Sequence, residues 1–158
     1  MKILIENWRK FINEEEKKNI SYSAVMLDQN SIKKLIDTFG DKKPETFVYE
    51  APDYHLPHHM TITLGPLGQY AGDYQAGKQI TLEVVGYGIS NDAMAIQVKP
   101  PFPINSKQIP IPHITFALPP PPNGKPFLSN KIQNWTTKIN PFNISGIVEE
   151  VPQKSEKK

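Results

Sequence analysis

The sequence predicts an α+β domain made of short, antiparallel strands. Three observations carry that expectation. Apolar and polar residues alternate over short runs such as 59–64 and 113–118, and helical spacing is confined to two or three segments. Strands and helices also never settle into the regular strand–helix–strand alternation of a wound parallel sheet. With 158 residues the chain can build one main domain with a core of its own. The expected division is an N-terminal amphipathic helix over 1–20, the domain over 21–150 and a disordered tail over 151–158.

The elements follow in order. Ile5, Trp8, Phe11 and Ile12 recur at helical spacing, ahead of a charged stretch at 14–18. A strand is expected at 22–27, ended by Asp28, a residue suited to cap a helix N-terminus. Ile32, Leu35, Ile36 and Phe39 then share one helical face, with Gly40 just past its end. Strands are expected at 46–50 and 58–64, joined by a loop at 51–57. After a turn-rich stretch at 65–77, strands at 79–88 and 93–98 flank Ser90-Asn91-Asp92, which reads as a hairpin turn. A strand at 113–118 lies between two stiff proline-rich loops. Ser129 is expected to cap a short helix running to about Ile139, and 143–148 forms the last strand.

Charge and composition narrow the function classes. A formal net charge of +2 gives no broad electrostatic footprint for duplex DNA, while a small anionic ligand remains compatible with it. The absence of cysteine excludes disulfides and thiolate metal sites. Met1 to Ile5 is apolar but too short for a secretory signal, and no apolar run approaches a membrane span, so a cytoplasmic protein without a membrane partner is expected.

The informative feature is a repeat. His59-Met60-Thr61-Ile62-Thr63-Leu64 matches His113-Ile114-Thr115-Phe116-Ala117-Leu118 as His-x-Thr-apolar-x-Leu, and each copy follows closely on a proline. Side chains alternate along a strand. Met60, Ile62 and Leu64 should therefore point to the core, like Ile114, Phe116 and Leu118, while His59, Thr61, His113 and Thr115 take the other face. A single His-x-Thr carries little information; two copies in a chain with 4 histidines carry more. Burying such polar pairs is costly unless that face lines a cleft. One imidazole can take a proton while the other gives one, and two hydroxyls can donate to the non-bridging oxygens of a phosphate. The residue types thus suit phosphodiester cleavage.

This paired motif resembles the 2H phosphoesterase superfamily, over about 22–148 of the chain. The resemblance implies a two-lobed 2H phosphoesterase (LigT-like) fold, with antiparallel sheets, helices outside and the site in the central groove. It implies catalytic roles for His59, Thr61, His113 and Thr115, and no cofactor. The implied partners are an RNA terminus such as a 2′,3′-cyclic phosphate, or a nucleotide or cyclic oligonucleotide of the kind destroyed by phage anti-CBASS proteins. The leader around Glu6-Asn7-Trp8-Arg9-Lys10-Phe11 is similar to short N-terminal segments of marine bacteriophage proteins, and reads equally as an ordinary amphipathic helix docked on the domain. If phage-encoded, the protein would work in the host cytoplasm. A non-catalytic domain that sequesters nucleotides or RNA ends is the alternative, and a structural phage component is a third possibility.

Other residues complete the list. Tyr54 and Tyr74, in loops beside the first motif, are candidate platforms for a base, and Lys107 and Lys125 are candidate contacts to a second phosphate; packing and solvation are the competing roles. His55 and His58 stand near His59, but neighbouring strand residues face opposite sides, so no metal site is expected and His58 is placed at the edge of the site or just behind it. Trp135 is expected to pack in the core.

Overall fold

The computed structural model describes residues 19–52 and 54–153. The predicted N-terminal helix and the end of the predicted tail lie outside them. The chain folds as a mixed α/β protein with few helices and antiparallel sheets. The strands are β1 (Ile20–Leu27), β2 (Glu50–Ala51), β3 (Tyr54–His55), β4 (His59–Leu64), β5 (Gln79–Ile89), β6 (Met94–Lys99), β7 (His113–Ala117), β8 (Trp135–Thr136) and β9 (Phe142–Pro152). Helix α1 (Gln29–Phe39) is the one α-helix among the described residues.

Six strands close into a barrel in the order β6-β7-β4-β1-β9-β5, with β5 returning to pair with β6; β8 adds to the edge of β5 and β2 pairs with β3 alone. Closure leaves the six strands without an open edge. The order has an internal symmetry. Starting from the two His-x-Thr strands, β4-β1-β9 and β7-β6-β5 are two three-strand halves that meet motif strand to motif strand and outer strand to outer strand.

The barrel interior holds most of the core that alternation predicts, but Leu64, expected to point inward, is exposed while Thr63 is buried, because the β1–β4 register shifts at that end of β4. Val25, Met60, Ile62, Leu82, Val84, Met94, Ile96, Ile114 and Phe116 all sit in one cluster of buried residues. Helix α1 joins the cluster through Leu35 and Phe39. Phe39 meets Phe116 of β7, Tyr87 of β5 and Phe142 of β9, covering the barrel end where these strands converge. Asp28 caps α1 by accepting from the Ser31 amide at 2.8 Å, and its other oxygen accepts from the Ser145 hydroxyl at 2.6 Å, tying the helix to β9. Gly40 closes α1 in right-handed geometry and leads into a 3₁₀ turn, Gly40–Lys42.

The seam between β4 and β7 is sparsely paired, with Met60↔Ile114 as its bridging pair. Pro110 and Pro112, just upstream of β7, have no amide proton to extend the ladder. The loop before them fills the gap. The Asn105 amide donates to the Ile62 carbonyl at 2.9 Å, and the Gln108 side-chain oxygen accepts from the Leu64 amide at 2.8 Å.

Three expectations need correction. The strand predicted at 46–50 is reduced to a bridge, Val48↔Leu118, and to the two residues of β2. The helix predicted from Ser129 to Ile139 is absent: Pro126–Lys131 forms a 3₁₀ turn and Trp135–Thr136 pairs with β5. Aromatic and β-branched residues at 135–137 favour a pleated edge over a helix. The last strand also runs on to Pro152, into the segment expected to be a disordered tail.

Candidate active site

Antiparallel register builds the site. With Met60 opposite Ile114 and both fully buried inside the barrel, the residues one step either side face outward across the seam: His59 opposite Thr115, and Thr61 opposite His113. The four groups form a square with an approximate twofold axis through its centre. The two histidines occupy a diagonal, and diagonal neighbours on such a face lie roughly 7–8 Å apart with their Cβ atoms somewhat closer, so the ring tips can flank one phosphorus atom. All four side chains are half-buried.

Each corner has its own support. The His113 Nδ1 donates to the Ile111 carbonyl at 2.7 Å, which leaves Nε2 as its free nitrogen, and Trp135 lies 6.4 Å away between ring centroids. Gly88 makes room for that indole, since a Cβ there would come within 2.8 Å of the Trp135 ring. The Thr115 hydroxyl pairs with the buried Ser129 hydroxyl at 2.8 Å. The His59 ring stacks on Tyr22 with centroids 4.8 Å apart, and its Nδ1 lies 3.0 Å from the His58 Nδ1. Gln97, across from His113 on β6, keeps its side-chain oxygen buried without a hydrogen-bond partner among the described residues.

Burial sets the electrostatics. It pushes the pKa of His59 down to about 3, with repulsion from His58 and His113 adding to the effect, so His113 is near enough for its charge to be felt at His59. Burial lowers His113 too, but the Ile111 carbonyl opposes the shift by favouring the imidazolium. His58 is lowered mainly by burial, with Glu149 pulling the other way. Both motif histidines are therefore neutral at pH 7 in the free protein.

The remaining candidates separate. Tyr74 is fully buried with its hydroxyl donating to the Phe102 carbonyl, so it is a packing residue, which corrects its assignment to the substrate. Tyr54 is half-buried beside a satellite apolar cluster outside the barrel, its hydroxyl 3.4 Å from the Pro119 carbonyl. Lys107 and Lys125 are exposed on the loops before and after β7. His55 pairs with Glu50 at 3.0 Å on the exposed β2–β3 hairpin. His58 does not face away from His59 as strict alternation requires, because β4 begins only at His59. Trp135 is half-buried beside the site, not in the barrel core. Among the described residues no three His, Asp or Glu side chains gather in a metal-ligating group. No described helix is long and apolar enough to cross a membrane. Two surface depressions, of about 620 and 360 Å³, are lined by other residues.

Sequence reasoning missed Tyr22, Ser129 and Gln97. Gln97 shares the outward phase of β6, a signal available once the neighbouring strands are known. Tyr22 was hidden by a register shift between Ser23 and Ala24, which breaks the period by which it could have been placed. Ser129 reaches Thr115 through an irregular turn that has no periodicity to read. No protein family model and no curated protein matches this chain by sequence.

Proposed function

We propose that the chain is a metal-independent phosphodiesterase in which His59 and His113 carry the two proton transfers of nucleotide phosphodiester cleavage. The observation that supports this most directly is the Met60↔Ile114 register, which sets two imidazoles and two hydroxyls around one point on the outer face. In this proposal the halves β4-β1-β9 and β7-β6-β5 are the two lobes of a 2H phosphoesterase fold, with the groove at their seam.

The supports suggest roles. His113 can hold a second proton without losing its bond to the Ile111 carbonyl, since a carbonyl only accepts; it is the acid that protonates the leaving oxygen. Among the described residues His59 has no such acceptor and is flanked by two other imidazoles, so it is the base that deprotonates water or the adjacent ribose hydroxyl. A phosphodiester between the rings brings negative charge to both and raises both pKa values toward the working range. Thr61 and Thr115 donate to the non-bridging oxygens where charge accumulates. The substrate is a 2′,3′-cyclic RNA end or a cyclic oligonucleotide signal of the anti-CBASS type, met in the cytoplasm.

A sequestering domain is the second reading, favoured by the depth of the neutral state of His59 in the free protein. One panel decides between them: 2′,3′-cyclic nucleotides, a cyclic tRNA-type end, and 2′-5′ and 3′-5′ cyclic dinucleotides, incubated with chelator and separated by chromatography. Turnover lost by roughly two to four powers of ten in each of His59→Ala and His113→Ala, with the fold kept, supports the enzyme. Ligand recovered intact at unchanged affinity in His113→Ala supports sequestration.

A further inference from the structure

His58 is absorbed by neither the fold nor the proposed chemistry. Its ring meets that of His59 edge-on, with centroids 5.2 Å apart and the two Nδ1 atoms 3.0 Å apart. Two imidazole nitrogens at that distance share one proton, so one ring carries the N–H and the other offers a lone pair. Among the described residues the His59 ring has no other hydrogen-bond partner, so the state of His58 decides which nitrogen of His59 is bare.

We propose that His58 is a positioning residue that sets the tautomer of His59. While His58 is neutral it accepts the Nδ1 proton of His59, leaving Nε2 of His59 bare toward the groove. When His58 takes a proton from solvent, both of its nitrogens carry hydrogen and its Nδ1–H must donate. The single proton of His59 then sits on Nε2, and His59 stops being a base without changing its charge.

Among the described residues the charged and titratable groups around the pair are few. His58 feels Glu149 of β9, which favours its protonation, and His55 of β3, which opposes it. His59 feels His113 of β7 and lies against Tyr22 of β1. The inference rests on the proposed role of His59 as base. Its consequence is that the acid limb of activity belongs to the titration of His58 and not to that of His59.

Two-bond proton–nitrogen NMR of the histidine rings tests this on the full chain, in wild type, His58→Gln and His58→Phe, from about pH 8 to about pH 4. The expected result is a His59 Nε2 signal that moves from lone-pair to N–H character in step with His58 in the wild type, and that shows no such step in either variant. If the phenylalanine variant does not fold, the glutamine variant carries the comparison. A His59 Nε2 already protonated while His58 is neutral, or one that stays bare through the His58 titration, overturns the proposal. With a substrate in hand, wild-type kcat/KM should fall about tenfold per pH unit below the His58 titration, a limb that the pH profile of His58→Gln lacks whatever its level. The NMR step without any turnover would sink the phosphodiesterase and leave the tautomer control standing; turnover without the step would do the reverse.

Discussion

Lowering the pH should unfold this protein through His59, and the size of the effect can be worked out. Its folded pKa of about 3, against an ordinary 6.5, means that the folded state binds fewer protons than the unfolded chain between those values. Stability from this group is complete above the unfolded pKa and is lost as the pH falls from 6.5 toward 3. Each pKa unit is worth about 1.4 kcal/mol, so going from neutrality to about pH 4.5 costs roughly 2–3 kcal/mol. Replacing His59 with glutamine removes this term while leaving His58, His113 and Asp28 in place. Urea unfolding at the two pH values checks it. With a slope of about 2 kcal/mol per molar, the wild-type midpoint should drop on the order of 1 M further than that of His59→Gln. Asp28 does not blur the comparison, because its lowered pKa keeps its contribution intact until the pH falls below the usual aspartate range. Equal drops in the two proteins would refute the assignment of a buried, neutral imidazole at this position.

Three further outcomes follow from the packing. Asp28→Ala should cost about 1–2 kcal/mol in thermal or urea unfolding, because it removes the cap of α1 and leaves the Ser145 hydroxyl without its acceptor. Ser129→Ala should cost about 1 kcal/mol and release the Thr115 hydroxyl, so in the proposed enzyme kcat should fall more than KM rises, with Ser129→Thr tested for rescue. Gly88→Val should push Trp135 out of contact with β5, visible as a shift in tryptophan fluorescence, while circular dichroism retains the strand signal.

Much of the barrel was legible because its strands obey the two-residue period. The alternation in 59–64 and 113–118 sorted Met60, Ile62, Ile114 and Phe116 to the interior and the His-Thr pairs outward, and Asp28 announced the start of α1. Where side chains serve contacts far away in sequence, that signal fails. Residues 129–139 carry apolar spacing compatible with a helix, but pairing with β5 captures Trp135 and Thr136 instead. The place of His58 beside the site was read correctly, but its facing was not, because the pleat that would turn it away from His59 starts one residue later. The hairpin of β5 and β6 was announced by its turn, whereas the pairing of β5 with β9 is a long-range choice that no local pattern records.

The sparsely laced join between β4 and β7 gives the molecule a preferred line of weakness. Elsewhere the cylinder is held by ladders several residues long, so thermal breathing parts this line first and changes the gap between its two imidazoles before it disturbs the interior. A guest bound across the gap would act as the missing rung, and its binding energy would appear as added resistance of the whole domain to unfolding.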